Sequence, residues 1–352
     1  MAIAVLLSGG VDSSLALRLL REQGHELRAF YLKIWLEDDL AFLGDCPWDT
    51  DLQYTRAICE QLNVPLEIVP LQRQYFDIVV EHAIRELRAG RTPSPDILCN
   101  QHIKFGAFFG SIGEEFRSVA SGHYAQVRQG EDGLYRLYSA PDPVKDQTYF
   151  LARLNQAQLA HIQFPIGHLQ KCDVRKLAAE FAIPAADRKD SQGICFLGKI
   201  QYRDFVKSYL GEAPGRIVDA DTGKRLGEHR GLWFHTIGQR QGLGLSGGPW
   251  YVSAKDMDSR TLFVTHGVRR AQCARADFQV ADCQWIATPP SSASLELKLR
   301  HGPQKIACEI EPAGDGLRVR MASADSGVAP GQYAIFYEGD CCLGAGVITE
   351  GE

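Results

Sequence analysis

Ala2-Ile3-Ala4-Val5-Leu6-Leu7-Ser8-Gly9-Gly10-Val11-Asp12-Ser13-Ser14 is the stretch whose reading decides the fold. Its six leading apolar residues suit a strand buried on both faces. The run breaks at Ser8-Gly9-Gly10, and an amphipathic helix is expected over residues 13–23, ending before Gly24. A glycine turn between strand and helix aims successive backbone N–H groups, and the positive end of a helix dipole, at one point. That arrangement suits a phosphate. Glycine lets an anion approach the backbone without meeting a Cβ. Ser8, Ser13 and Ser14 can add hydroxyl donors. Asp12 would repel a bare phosphate, so its expected work is to help place a magnesium ion. The Gly-Lys-Ser/Thr ending of a Walker loop is missing. The bland alternative is an ordinary turn with Ser or Asp as helix cap.

The chain around this loop repeats its texture. Residues 27–35 and 66–69 read as further buried strands, and residues 50–62 and 174–181 as helices. Phe76, Val79, Val80, Ala83, Ile84 and Leu87 recur at helical spacing. Strands alternating with helices predict an α/β doubly wound parallel sheet, which binds ligands at the carboxyl ends of its strands. Residues 126–138 read as an inserted hairpin turning at Gly130-Glu131-Asp132-Gly133. From about Gly211 glycines multiply and helical periodicity fades. Trp233-Phe234-His235 is expected in the core of this middle region, and residues 238–248 as a turn-rich linker. After about Ala276 short strands at 295–300, 305–310, 317–321, 333–337 and 344–348 predict a small β-barrel. Three domains are expected, over residues 1–200, 205–270 and 275–352.

With 352 residues, 45% hydrophobic and 23% charged, the chain has the balance of a globular protein. No apolar run approaches the ~20 residues of a membrane span. The first residues lack the basic flank and the length of a secretory signal, so a cytoplasmic protein without membrane contact is expected. The net charge of −5 is unevenly spread: residues 198–268 carry ten basic and seven acidic side chains, a surplus that leaves room for a nucleic-acid partner. Ten cysteines are scattered without any C-x-x-C pair. Neither a disulfide framework nor a zinc site is expected, and most of the thiols should be small buried hydrophobes.

Two cysteines sit in suggestive company. Thr92-Pro93-Ser94-Pro95-Asp96-Ile97-Leu98-Cys99-Asn100 follows a helix, and its prolines stiffen what reads as a loop presenting Asp96 and Cys99. Cys195 lies in Asp190-Ser191-Gln192-Gly193-Ile194-Cys195-Phe196, a glycine-turned presentation loop. On composition alone both read as structural thiols.

The seven-residue string at Ser8 resembles the pyrophosphate loop of the N-type ATP pyrophosphatases, which cleave ATP between the α- and β-phosphates and adenylate a carbonyl oxygen. The longer series resembles the tRNA-specific 2-thiouridylase family, which makes 2-thiouridine at the wobble position. The series comprises the loop, P-x-P-D-I-L-C-N with I-K-F at residues 103–105, S-G-H-Y-A at 121–125, and K-D-Q-T-Y-F-L at 145–151. It continues through K-D-S-Q-G-I-C-F at 189–196, H-T-I-G-Q-R-Q-G-L-G at 235–244, P-W-Y-V at 249–252 and A-P-G-Q at 329–332. It spans most of the chain, and its joint order is far more specific than any member.

The resemblance implies roles residue by residue. Cys195 matches the persulfide-carrying cysteine and Cys99 its nucleophilic partner, with Asp96 assisting proton transfer. Leu6, Leu7, Ser8, Gly9, Gly10, Val11, Asp12, Ser13, Leu32 and Gly122 match ATP-contacting positions. Leu32 stands where methionine is familiar, a volume-conserving exchange. Ser94, Pro95 and Asp96 match the segment that meets the target base, with Ser94 in place of the commoner asparagine. His123, Lys145, Asp146, Gln147, Arg300 and Gln332 match tRNA-contacting positions. His301 replaces a familiar tyrosine there and can still stack on a base. The implied cofactors are ATP with Mg2+ and a persulfide sulfur donor. The implied partners are a tRNA with a wobble uridine and a sulfur-relay protein or cysteine desulfurase, and the enzyme is expected to be monomeric. Three rival readings are an iron–sulfur cluster on Cys99, Cys195 and Asp96, a non-catalytic tRNA-binding module with a relict ATP site, and a sibling pyrophosphatase that modifies a different RNA base or a small molecule.

Overall fold

The computed structural model of the chain describes residues 1–34, 48–113, 115–190 and 201–349. The first unit is built on a five-stranded parallel sheet. Its strands are β1 (Ala2–Leu7), β2 (Leu27–Lys33), β3 (Leu66–Pro70), β4 (Phe116–Ala120) and, after a hairpin of β5 (Ala125–Gln129) and β6 (Tyr135–Ser139), β7 (Ile162–Gln163). The order is β3-β2-β1-β4-β7, so β1 is central, as its unbroken apolar run requires. Ile3, Val5 and Leu7 enter one core with α1 (Val11–Glu22), while Ala4 and Leu6 enter a second with Tyr75, Val79, Ile97 and Phe105. The period of two sends alternate residues to opposite faces, and full burial of each large side chain contributes roughly 2 kcal/mol.

The expected doubly wound sheet is therefore present, with local corrections. β3 is an edge strand, not a buried one: it pairs with β2, and Ile68 is 39% exposed. Helix α1 begins at Val11 because Gly10 serves as its N-cap. The apolar series from Phe76 to Leu87 lies on consecutive helical segments Gln72–Tyr75, Phe76–Val80 and Glu81–Arg88, of which the middle one is a wide π-turn.

The expected hairpin exists, but it does not stand alone. β6 pairs with β17 (Cys341–Ile348) through Leu137 and Cys342, so a piece of the first unit extends the last one's sheet. That sheet closes into a six-stranded antiparallel barrel in the order β12-β15-β14-β13-β16-β17 and back to β12. The remaining barrel strands are β12 (Arg275–Trp285), β13 (Ser294–Lys298), β14 (Ile306–Ala313), β15 (Gly316–Asp325) and β16 (Tyr333–Glu338). Cys341-Cys342 lies in a strand as expected, and Cys342 is buried.

The middle region holds more structure than its glycines suggest. Helix Tyr202–Leu210 leads into a four-stranded sheet of β8 (Gly215–Asp219), β9 (Arg225–His229), β10 (Trp250–Asp256) and β11 (Thr261–His266), ordered β10-β11-β8-β9. Its core is Ile217, Leu232, Leu243, Val252, Leu262 and Val264. Trp233 and Phe234 do not belong to that core. They pack with Phe205 and Tyr209 against the first unit, while His235 is buried nearby. No helix among the described residues is long and apolar enough to cross a membrane.

Candidate active site

The sheet order reverses direction between β1 and β4, and there the crevice of a doubly wound sheet opens. The Ser8–Gly10 turn leaves the carboxyl end of β1, and Ser121-Gly122-His123 leaves that of β4, so the two loops face each other. Gly9 has φ +71, and a Cβ there would lie 2.4 Å from the Asp51 carbonyl oxygen. A Cβ on Gly122 would lie 2.6 Å from the Ser13 nitrogen and 2.7 Å from the Asp12 carbonyl carbon. Both glycines are thus required for close backbone approach.

Within the loop the Ser8 N–H donates to Ser13 Oγ at 3.2 Å, and that hydroxyl donates to the Gly10 carbonyl at 3.2 Å. Gly10 caps α1 without a side-chain bond, leaving the first N–H groups of the helix to whatever enters the crevice. Ser14 is buried, and its hydroxyl has no hydrogen-bond partner among the described residues. Leu6, Leu7 and Val11 are buried too, which leaves only their backbone groups to face a ligand. Leu32 lies one residue beyond the Leu7–Tyr31 pair on the adjacent strand.

Charged side chains bind the loop to its surroundings. Asp12 accepts from the Tyr124 hydroxyl at 2.7 Å and from Lys171 Nζ at 2.8 and 2.9 Å. The same ammonium lies 2.8 Å from Asp190, which also pairs with Lys145 at 2.6 Å and Arg175 at 2.5 Å. Burial acts to raise the Asp190 pKa, but the hydrogen bonds from Lys145 and Lys171 outweigh it and hold the carboxyl at about 2. Arg188 donates to the Gly9 carbonyl at 2.8 Å and to Asp51 at 2.5 Å. Burial raises the Asp51 pKa against the opposing pull of Arg188. One carboxylate beside phosphate oxygens is the usual donor set of nucleotide-borne magnesium. Asp12 fits that role once Lys171 gives way, since the ammonium occupies both its oxygens.

The Cys99 segment corrects the expected exposed loop. Ser94 caps a short helical turn, Pro95–Leu98, which runs on into the wide helix Cys99–Ala107. Pro at the first turn starts a helix well, because its missing N–H is not needed there. Cys99 is 1% exposed, in the same core as Leu6, while Asp96 is half-buried above it. Cys195 lies outside the described residues.

The remaining expected contacts divide into two groups. Half-buried His123, Lys145 and Gln147 are tied to residues beside the loop: His123 Nδ1 is 2.8 Å from the Ser121 hydroxyl, Gln147 Oε1 accepts from the Tyr124 N–H at 3.0 Å, and Lys145 pairs with Asp190. Desolvation, with help from Lys104, pushes the His123 pKa well below its usual range. On the barrel, Arg300 is paired with Asp325, and Gln332 is half-buried before β16. His301 stacks on Phe150 at 5.0 Å and bonds the Asp146 carbonyl at 3.0 Å. Desolvation lowers its pKa, and Phe150 already covers one face of the ring. The Asp146 side chain is not at the surface: buried, it accepts from Lys298 Nζ at 2.7 Å and from the Thr148 hydroxyl at 2.9 Å. Lys171, Arg175, Arg188 and Asp51 join Tyr124 of the S-G-H-Y-A motif around the loop, although no sequence signal singled out those four. A lysine opening a helix is commonplace until the fold brings it to Asp12. Among the described residues no cluster of His, Cys, Asp and Glu could hold a metal ion.

Family models match all three units: a tRNA methyl transferase HUP domain over residues 1–199, a tRNA methyl transferase PRC-barrel domain over 203–266 and an aminomethyltransferase beta-barrel domain over 275–348. The tRNA-specific 2-thiouridylase MnmA 2 of Bacteroides fragilis is 44% identical, across 99% of this chain and 100% of that protein. The tRNA-specific 2-thiouridylase MnmA of Parabacteroides distasonis is 43% identical across 99% of both chains. That of Porphyromonas gingivalis is 42% identical across 100% of both. With such identity sustained from end to end, the chain belongs to the tRNA-specific 2-thiouridylase family.

Proposed function

We propose that the protein thiolates C2 of the wobble uridine of tRNA at the expense of ATP. The observation that carries this reading is the phosphate loop at the sheet's reversal point, closed by Gly122. The loop Leu6–Ser13, with Leu32 and Gly122, holds ATP. Asp12 is the residue that would hold magnesium, whose chemistry there is to screen the phosphate charge. The RNA lies across His123, Lys145, Gln147, Arg300, His301 and Gln332, and Ser94, Pro95 and Asp96 meet the flipped base. Asp146 supports this surface from beneath.

The C2 carbonyl of uridine is a poor electrophile with a bad leaving group. Its oxygen therefore attacks the α-phosphorus of ATP, and the Pα–O bond to the β-phosphate breaks. The electron pair leaves on pyrophosphate, held by the loop N–H groups and the Ser8 and Ser13 hydroxyls, and the N3 proton passes to water. The terminal sulfur of a persulfide on Cys195 then attacks C2, and AMP departs with the former carbonyl oxygen. Cys99 attacks the inner sulfur of Cys195, the S–S bond cleaves toward the base, and a Cys99–Cys195 disulfide remains for an external thiol to reduce. The sulfur comes from a sulfur-relay protein or cysteine desulfurase. Cys99 is buried, so it must become accessible before this step.

The test is an assay with ATP, magnesium, a persulfide donor and wobble-uridine tRNA. Mercury-retarded tRNA is expected in step with AMP and pyrophosphate, one of each per thiolated base. Thiolation without ATP cleavage, or cleavage to ADP, would overturn the proposal.

A further inference from the structure

Lys171 stands out among the groups that the proposed chemistry does not use. It opens the helix Lys171–Glu180, and its own N–H is fixed by Asp142 at 3.1 Å. Its side chain is 13% exposed, and its ammonium touches the phosphate loop through Asp12. The three N–H bonds of Nζ are accounted for by Asp12 Oδ1 at 2.8 Å, Asp12 Oδ2 at 2.9 Å and Asp190 Oδ1 at 2.8 Å. Asp12 cannot give both oxygens to this ammonium and also serve a magnesium ion. At least one of the two N–H bonds to Asp12 must therefore be released when a nucleotide enters with its metal. The release occurs beside the loop, where the triphosphate brings the negative charge.

We propose that Lys171 is a catalytic phosphate ligand of the adenylation step, parked on Asp12 until ATP arrives and then transferred to the phosphate oxygens. Asp190 is its positioning residue. This rests on the ATP-cleaving reading of the same loop. Lys171 keeps its bond to Asp190, which is itself fixed by Arg175 and Lys145, so the side chain pivots instead of wandering. As the Pα–O bond breaks, its electron pair collects on the departing pyrophosphate, and the fixed ammonium compensates that charge without passing a proton. The same ammonium competes with the metal for Asp12, so this lysine costs metal affinity in the resting protein and assists only once displaced.

These two effects have opposite signs, and a merely structural salt bridge would not separate them. In Lys171→Met, manganese binding in the presence of a non-hydrolysable ATP analogue, followed by electron paramagnetic resonance, is expected to tighten several-fold. tRNA-dependent formation of AMP and pyrophosphate is expected to fall about 10²-fold or more. Lys171→Arg keeps the charge and restores part of the rate. Asp190→Asn, with Lys171 less firmly held, loses rate with little change in metal binding. Should Lys171→Met misfold, the arginine variant and Asp190→Asn still decide, because each keeps a positive group at the loop. Weaker manganese binding in Lys171→Met together with an unchanged rate would overturn the proposal, as would full activity in that variant. If the wild-type protein bound no nucleotide at all, the ATP reading itself would fail instead.

Discussion

Gly122 shows how little room one side chain has at this site. Its α-carbon faces backbone, not a flexible side chain, so a methyl group at 2.6 Å from the Ser13 nitrogen cannot be accommodated by a rotamer change. Gly122→Ala is expected to push the β4 loop off the start of α1 and weaken ATP binding at least about tenfold, with calorimetry as the measurement; tenfold is only about 1.4 kcal/mol. Cys99 sets a different residue-scale expectation. Cys99→Ser leaves adenylation intact, so a single turnover releases one equivalent of AMP with no mercury-retarded tRNA, and multiple turnover drops by about 10² or more. The loop itself was legible in sequence because glycines between a strand and a helix have few other uses. The helix around Cys99 was not, since Pro93 and Pro95 are as compatible with a stiff loop as with the helix start that forms.

Among the elements, the middle sheet was the hardest to foresee. Its strands are short, and glycines crowd its connections, so neither a period of two nor one of 3.6 runs long enough to register. β12 escaped for a related reason: only Phe278 and Val280 are fully buried, and Asp277, Gln279, Asp282 and Gln284 interrupt its apolar positions. The middle unit also carries a pH-dependent element. His235 is 5% exposed, and desolvation, joined by His229, Lys255 and Arg203, pushes its pKa down to about 4. An unfolded histidine takes up a proton near pH 6.5, whereas the buried ring resists until about pH 4. The unfolded chain thus binds more protons in that window, and stability is lost as the pH falls through it. The loss between pH 7 and pH 5 is expected to be about 2 kcal/mol. Urea melts of the middle unit's transition at the two pH values should show it, and His235→Gln should remove most of the difference.

At the scale of the whole molecule, the first unit and the barrel are joined by bonds that no sequence pattern announced. The β5–β6 hairpin extends the barrel sheet, Arg153 donates to the Asp282 carbonyl at 2.6 Å, and Asp146 meets Lys298 with both side chains almost fully buried. Such a pair adds little over an apolar contact, but removing one member strands the other. Lys298→Met is expected to destabilise the protein by about 3–5 kcal/mol, and adding Asp146→Asn to recover part of that, as read by chemical denaturation. The fold class and the three-part order were visible in the chain because long apolar strands and their spacing are local properties. The charge network around Lys171 and Asp190 was not, because its members come from positions far apart in sequence and meet only in the folded crevice. The central claim is that the uridine oxygen attacks the α-phosphorus of ATP at this crevice. It is tested most directly with tRNA carrying ¹⁸O at the C2 oxygen of the wobble uridine, followed by mass spectrometry of the released nucleotide. One ¹⁸O atom in AMP for each thiolated base is the predicted result; AMP without label, with the isotope in water or in pyrophosphate, would contradict it.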